Sequence, residues 1–463
     1  MSASLERPSI VWLRDDLRLA DNPALDAAVR RGAPLVVVYL LDEVSPGIRP
    51  LGGATKWWLH HSLASLGADI AARGGSLVLR RGDADTEIKR LVDETDAGAV
   101  FWNRRYGRSR DIDAALKSYL RETGREAGSF RANLLFEPWT ITTQDGNPYR
   151  VFTQFWKTCL EQGVAREPLA APETIDSPPA VASDDLGDWG LLPTQPDWAG
   201  GLREHCFPGE DSAHERLEGF VDDVLESYDR RDEPGFEATS GLSPHLRFGE
   251  ISPLQIWHRL HGALGQGAKT NAAKFLREVG WREFNYNILF NFPELHERNY
   301  RPAFDAFPWA DTPEWEIDAW RQGRTGVPLV DAGMRELWET GTMHNRVRMI
   351  TASFLIKNLL VDWRVGEAWF WDTLVDADEA NNPANWQWVA GSGADAAPYF
   401  RVFNPVLQAQ KFDKQGRYIR RWVPEIDAGE YPPEPIVDLG QSRRDALAAY
   451  DTMKATPAPE SSN

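Results

Sequence analysis

Residues 35–41 read Leu-Val-Val-Val-Tyr-Leu-Leu, an unbroken apolar run that follows Gly32-Ala-Pro34 and stops at Asp42. Such a run, rich in β-branched side chains, reads as a buried strand. Outward from it, residues 9–13, 76–80 and 99–102 repeat the texture, and 134–136 reads as a fifth strand. Amphipathic stretches predict helices at 22–31, 55–73, 85–96 and 109–123. Strands alternating with helices imply βαβ units. The first domain, residues 1–135, is therefore expected to be α/β and Rossmann-like, a parallel sheet with helices on both faces.

Beyond it, Pro168, Pro172, Pro178, Pro179, Pro193 and Pro196 forbid one long helix or a central strand. Residues 136–205 are accordingly expected to be a connector. Helical spacing dominates after that, at 214–228, 272–290, 330–340, 345–362 and 367–374. The second domain, 206–450, is expected to be all-α, with a disordered polar tail at 451–463.

The chain has 463 residues, enough for two or three domains. Its 42% hydrophobic and 26% charged content is that of a globular protein. Two cysteines cannot build a disulfide framework, a four-cysteine zinc site or an all-cysteine iron–sulfur cluster, and no metal is expected. The longest apolar run, 33–41, is far short of the roughly 18 residues of a membrane span. The polar opening 1–8 lacks the apolar segment of a secretory signal. A cytoplasmic protein without a membrane partner is expected. A net charge of −18 argues against wholesale wrapping of nucleic acid but leaves room for one basic face. Twenty tryptophans, twenty phenylalanines and eleven tyrosines are mostly core, with some free to stack on planar ligands or move electrons.

Four segments carry chemistry. On a helix, Glu278, Trp281 and Arg282 share one face. They either grip a planar ligand or form an ion pair beside a core tryptophan. In Met343-His-Asn-Arg-Val-Arg-Met349, Asn345 and Met349 share a face, and the arginines suggest an anion at the edge of the core. The run Asp376-Ala-Asp-Glu-Ala-Asn-Asn382 fails the EF-hand pattern, which leaves a turn or a ligand-reading loop of carboxylates and amides. Thr239, Ser240, Gly241, Leu242 and Ser243, ahead of Pro244, make either an anion nest or a plain helix cap. No GxxxxGK[ST] loop is present, and Gly391-Ser-Gly-Ala-Asp-Ala396 does not follow a strand as a dinucleotide fingerprint must.

Together these segments resemble the cryptochrome/photolyase family, most closely its photolyases for cyclobutane pyrimidine dimers. The resemblance adds Trp12-Leu-Arg-Asp-Asp-Leu-Arg18, Arg324-Thr-Gly326, Asp331-Ala-Gly-Met-Arg335 and Tyr399-Phe-Arg-Val-Phe-Asn-Pro405, and covers 10–423 in the family's order. It implies an antenna domain followed by a helical domain that holds FAD, and light-dependent repair of dimers in UV-damaged DNA by electron transfer from reduced FAD. A blue-light photoreceptor cryptochrome is the alternative.

Carried over by motif, Tyr228 and residues Thr239 to Ser243 meet the pyrophosphate side of FAD. Arg282 and Asn345 also belong to the cofactor set, Arg348 pairs with Asp376 beside the flavin, Asp378 lies at its edge and Asn382 faces N5. An amide there resembles photolyases, whereas plant cryptochromes carry an aspartate. Glu278 meets the dimer's carbonyl edge, Trp281 and Trp388 stack on the pyrimidines, and Asn345 and Met349 line the pocket. Six-four enzymes use a histidine near Asn345, so that chemistry is disfavoured. Arg231, Arg346 and Arg401 hold DNA phosphates, with strong salt sensitivity expected. Electrons enter through Trp386, Trp363 and Trp309, with Trp315 competing for the last place. Thr342 departs from the tryptophan of many relatives. The segments 51–58 and 103–106 resemble an antenna pocket for methenyltetrahydrofolate, a deazaflavin or FMN. The protein is expected to be a monomer.

Overall fold

The structure, a computed structural model, describes residues 7–456 except 165, 180, 262–265, 398, 399 and 433. Tyr399 of one quoted motif and residues 457–463 of the expected tail therefore lie outside the described residues.

Five parallel strands form one sheet: β1 Ser9–Leu13, β2 Leu35–Leu41, β3 Leu77–Arg81, β4 Ala99–Asn103 and β5 Glu126–Phe130. Their order is β3-β2-β1-β4-β5. Helices α1 (Pro23–Arg30), α2 (Gly53–Ala72), α3 (Ala84–Thr95) and α4 (Ser109–Glu122) make the crossovers. Strands β1, β2 and β4 are buried throughout because helices cover both faces, which is why they are continuous apolar runs. Asn22 caps α1 by accepting from Leu25 N, with Pro23 pre-set at the first position. The strand order reverses between β1 and β4, so the crevice at their carboxyl ends is the natural ligand position of such a sheet.

The fifth strand is not 134–136. Strand β5 lies at the sheet edge with Glu-Ala-Gly-Ser-Phe, which is only partly buried and carries no apolar run. Gly128 is required there, because a Cβ would stand 2.6 Å from the Phe101 ring. Leu135 and Phe136 instead join the core of the helical half. The stretch 136–205 also contains helix α5, Phe152–Gln162, whose Phe152, Phe155, Trp156 and Cys159 are buried in that same core. The proline-rich part is bound to the sheet domain: Ile175 N donates to Arg73 O, and Leu35 N to Asp176 O.

The helical half comprises α6 (Gly200–His205), α7 (Glu210–Gly219), α8 (Ser243–Phe248), α9 (Pro253–His261), α10 (Gln266–Asn291), α11 (Glu314–Arg321) and α12 (Pro328–Thr340). It continues with α13 (Asn345–Ser353), α14 (Trp363–Thr373), α15 (Asn381–Ala390), α16 (Pro405–Phe412), α17 (Arg417–Trp422), α18 (Glu425–Ala428) and α19 (Leu439–Ala455). Two expected helices are shorter. The first stops at Gly219 and loosens into a π turn at Phe220–Val224 and a 3-10 turn at Leu225–Arg230. The second stops at Ser353, followed by a π turn at Phe354–Asn358 and a left-handed Leu360. The tail is ordered further than expected, since α19 runs to Ala455 with Met453 buried against the 304–307 and 400 aromatics.

The halves meet through buried and partly buried polar bonds. Arg18 donates to Gly249 O at 2.8 Å, Trp58 Nε1 to Glu250 Oε1 at 3.0 Å and Arg247 Nη1 to Asp15 Oδ1 at 2.6 Å. Gly249, at φ +64°, lets the backbones touch, because a Cβ would lie 2.0 Å from Asp15 O. Among the described residues no helix is long and apolar enough to cross a membrane, and no cluster of His, Cys, Asp or Glu could hold a metal ion.

Glu283 of α10 accepts from Leu135 N and Phe136 N at 2.9 and 3.1 Å, pinning that loop. Desolvation raises its pKa to about 7 despite neighbouring Arg282 and the two N–H donors. The folded state thus binds this proton more tightly than the unfolded one. Its stabilising effect is complete below the ordinary glutamate range and is lost as pH rises through 7, at a cost of roughly 3 kcal/mol. Glu283→Gln keeps one acceptor oxygen and cannot ionise. Unfolding followed from pH 5 to pH 8 should show that loss in the parent and not in the variant.

Candidate active site

The centre of the helical half is built on one ion pair. Arg348 on α13 donates Nη1 and Nη2 to the two oxygens of Asp376 at 3.0 and 2.9 Å. Its Nε is bound to Met343 O at 2.7 Å, so the guanidinium plane is fixed. Ser243 Oγ donates to Asp376 Oδ2 at 2.6 Å, tying the 239–243 loop to the pair. In that loop Ala238, Leu242 and Pro244 are buried, whereas Thr239, Gly241 and Ser243 are open. The alternation leaves a polar strip facing outward from an apolar base. Tyr228 is less available, because its ring is buried edge-on against Phe220 and Phe275.

Asp378 Oδ1 accepts from Ala380 N (2.8 Å) and Asn381 N (2.5 Å), and Oδ2 from Asn381 Nδ2 at 2.6 Å. Both oxygens thus shape the turn that starts α15. Asn382 on α15 is buried, and its Nδ2 donates to Glu367 O and Glu367 Oε1 at 3.0 and 2.8 Å. Glu367 and Arg49, which binds it, carried no motif and were missed by sequence reasoning. Arg282 leaves the group expected for it. It reaches across to Asn133 O at 2.7 Å and lies over the Tyr286 ring, so it fastens the two halves instead.

A second cluster lies around Glu278, whose Oε1 accepts from Arg231 Nη2 at 3.2 Å. The expected alternative of a Glu278–Arg282 pair is therefore not what forms. Glu278 is half-buried, and desolvation raises its pKa from the ordinary glutamate value, against Arg231 and Arg277. Trp281 is stacked on Phe152 at 3.8 Å and 9°, so one face of the indole is taken. Trp388 Nε1 donates to Asp395 O, and Arg401 lies 6.0 Å over the Trp388 ring. Asn345 is exposed at the start of α13. Arg346 pairs with Asp232 at 2.9 Å and lies over Phe412, with Met349 Sδ 3.9 Å from its Nη1. His344 caps α13 by accepting from Arg346 N at 3.2 Å. Burial lowers its pKa to about 4, so the ring is neutral and able to accept. Thr342 bonds Thr340 Oγ1 at 2.8 Å and closes the end of α12.

Trp386 is buried against Phe370 (4.9 Å) and Trp320 (6.3 Å), both near-perpendicular. Its ring lies over Gly366, where a Cβ would come within 2.1 Å of it. Trp363 is fully buried, with Nε1 bonded to Asn299 Oδ1 at 2.9 Å. Trp309 is partly buried against Phe307 at 4.4 Å, and Trp315 is 58% exposed. A cavity of about 100 Å³ lies at the crevice where the strand order reverses. Leu51, Arg104, Arg105 and Tyr106 contribute to its lining, as do Asp378 and Glu379 from the helical half.

The pattern of the FAD binding domain of DNA photolyase matches residues 275–430, and that of DNA photolyase matches 9–173. A deoxyribodipyrimidine photo-lyase of Agrobacterium fabrum is 49% identical, over 97% of this chain and 98% of its own. The chain belongs to the photolyase/cryptochrome family. Among solved members, a bacterial class III photolyase from Agrobacterium tumefaciens superposes with TM-score 0.93 at 48% identity, covering 98% of this chain and all of that one. An archaeal photolyase from Sulfolobus tokodaii, solved with two FAD molecules, superposes with TM-score 0.81 at 29% identity, over 96% and 99% of the two chains. The architecture of this family member, a parallel α/β domain followed by a helical one, is the one expected from its sequence. The donor set fits the family's cofactor. Thr239 has an open hydroxyl that could donate to a diphosphate, while the Ser243 hydroxyl is committed to Asp376; Arg348 and Asp376 form a fixed pair that could meet a hydrogen-bonding ring, and Asn382 has a carbonyl oxygen directed away from Glu367.

Proposed function

We propose that this family member is a carbon–carbon lyase that uses light and FAD to split cyclobutane pyrimidine dimers in UV-damaged DNA. Reduced FAD, when bound, supplies a light-driven electron. The observation that carries the reading is Glu278, a half-buried carboxyl of raised proton affinity beside Arg231. Burial favours the protonated carboxyl over the carboxylate, and a protonated Glu278 would donate a hydrogen bond to a dimer carbonyl oxygen as negative charge develops there.

The other residues bind and orient. Thr239, Ser240, Gly241, Leu242 and Ser243 take the diphosphate side, with Tyr228 behind them, and Arg348, Asp376 and Asp378 set the flavin plane. Asn382 presents an amide rather than a carboxyl at N5, which favours repair over a photoreceptor role. Trp281, by its free face, and Trp388 receive the bases, while Asn345 and Met349 line the pocket. A damaged pair is cheaper to extrude than an intact one. Arg231, Arg346 and Arg401 meet phosphates, for which Asp232 gives up Arg346. Trp386, Trp363 and Trp309 carry the electron that restores reduced flavin. In this reading residues 1–135 are the antenna domain, 136–205 the connector and 206–450 the catalytic domain of a cytoplasmic monomer.

The test is an absorption spectrum of the purified protein, then illumination with an oligonucleotide containing a thymine dimer. Flavin bands, the band of any second pigment and restored thymines are expected. A colourless protein, or dimers left fused under light, would refute the reading. Glu278→Gln should retain FAD and lower the repair yield about tenfold, because an amide N–H is a weaker donor to developing charge than a carboxyl O–H. Repair by the parent should decline as pH rises through the raised Glu278 pKa, and the variant should lack that limb.

A further inference from the structure

Asn382 uses one nitrogen for both of its bonds to Glu367: Nδ2 donates to the backbone carbonyl and to Oε1. A backbone carbonyl only accepts, and so does a carboxylate ion-paired with arginine. The orientation of the amide is therefore dictated by chemistry, with nitrogen toward α14 and Oδ1 away from it. Glu367 is 2% exposed, and Arg49 holds its two oxygens at 2.7 and 3.0 Å. The Arg49 guanidinium lies 4.1 Å over the Trp371 ring, whose Nε1 donates to Pro50 O at 2.9 Å. Arg49 stands in the loop between β2 and α2, so a side chain of the sheet domain fixes an amide in the helical one.

We propose that Glu367 and Arg49 are positioning residues for Asn382, which turn its carbonyl oxygen toward the flavin N5 and so favour flavin that carries a proton there. The proposal rests on the reading that Asn382 faces N5. An amide oxygen accepts from N5–H, but against unprotonated N5, itself an acceptor, it sets lone pair against lone pair. An amide free to turn would present Nδ2 instead and serve oxidised flavin equally well. The clamp blocks that turn. It thereby gives a lyase that depends on reduced flavin a resting preference for that form.

The test is the midpoint potential of bound FAD in the double variant Arg49→Met/Glu367→Met. This change is charge-neutral, and replacing a buried ion pair by apolar side chains is often neutral for stability. FAD should remain bound, and the ratio of oxidised to reduced flavin at a fixed potential should rise about tenfold, a fall of about 30 mV for a two-electron couple. Glu367→Gln, which keeps an acceptor oxygen, should move the potential the same way by less and provides the measurement should the double variant not fold. Asn382→Ala should lower the potential at least as far, and adding the double change to it should add nothing. If Asn382→Ala moves the potential and neither Glu367 variant lowers it, the positioning role is overturned while the flavin site stands. If Asn382→Ala leaves the potential unchanged, the placement of Asn382 at N5 is wrong and the proposal falls with it.

Discussion

Arg348→Met should yield a protein that cannot retain FAD through purification. The substitution keeps most of the side-chain volume and removes both bonds to Asp376, whose side chain is 6% exposed. Among the described residues, Ser243 Oγ is then the one side-chain donor left on a carboxylate that cannot reach water freely. Breaking a buried pair from one side costs about 3–5 kcal/mol because the remaining charge is left uncompensated. If about 3 kcal/mol of that falls on the bound state, FAD affinity drops roughly 100-fold. Arg348→Lys retains the charge but cannot reproduce the two-pronged geometry, and a loss of about tenfold is expected. Fluorescence titration of apoprotein with FAD measures both. Equal affinity in the Met variant would remove this pair from the cofactor site.

Trp386→Phe should abolish light-driven reduction of oxidised flavin, by two orders of magnitude or more, without harming repair by enzyme reduced chemically beforehand. Phenylalanine is far harder to oxidise than tryptophan, so the first electron has no donor at this position. The fold should tolerate the change. The indole packs between Phe370, Trp320 and Gly366, and a smaller ring leaves a gap costing about 1–2 kcal/mol. Transient absorption after a blue flash reads the first effect, and dimer repair by dithionite-reduced enzyme reads the second. Repair lost in the reduced variant would mean that Trp386 has a role at the lesion itself.

The sheet was legible because β1, β2 and β4 are buried on both faces and have no alternative to apolar sequence. Strand β5 was not, because an edge strand packed under Phe101 needs Gly128 more than it needs apolar side chains. In the site, Arg348 and Asp376 stood in recognisable motifs and the structure brings them together. Glu278 and Arg282 share a helical face but diverge, because Glu278 pairs with Arg231 while Arg282 reaches Asn133 O in the other half. Trp281 was placed at the lesion, yet one of its faces belongs to Phe152, a contact no local spacing could reveal. Arg49 and Glu367 were invisible for the same reason. They are 318 residues apart, and each reads as an ordinary charge in its own segment.

The polar seam between the halves bears on chimeras. Arg18, Asp15, Trp58 and Arg49 meet Gly249 O, Arg247, Glu250 and Glu367 across it. A graft of a foreign light-harvesting half would leave the polar groups facing it without partners unless the four side chains travelled with it. Recombination between relatives should therefore succeed where crossover points preserve these pairs as a set, and fail where they fall between them.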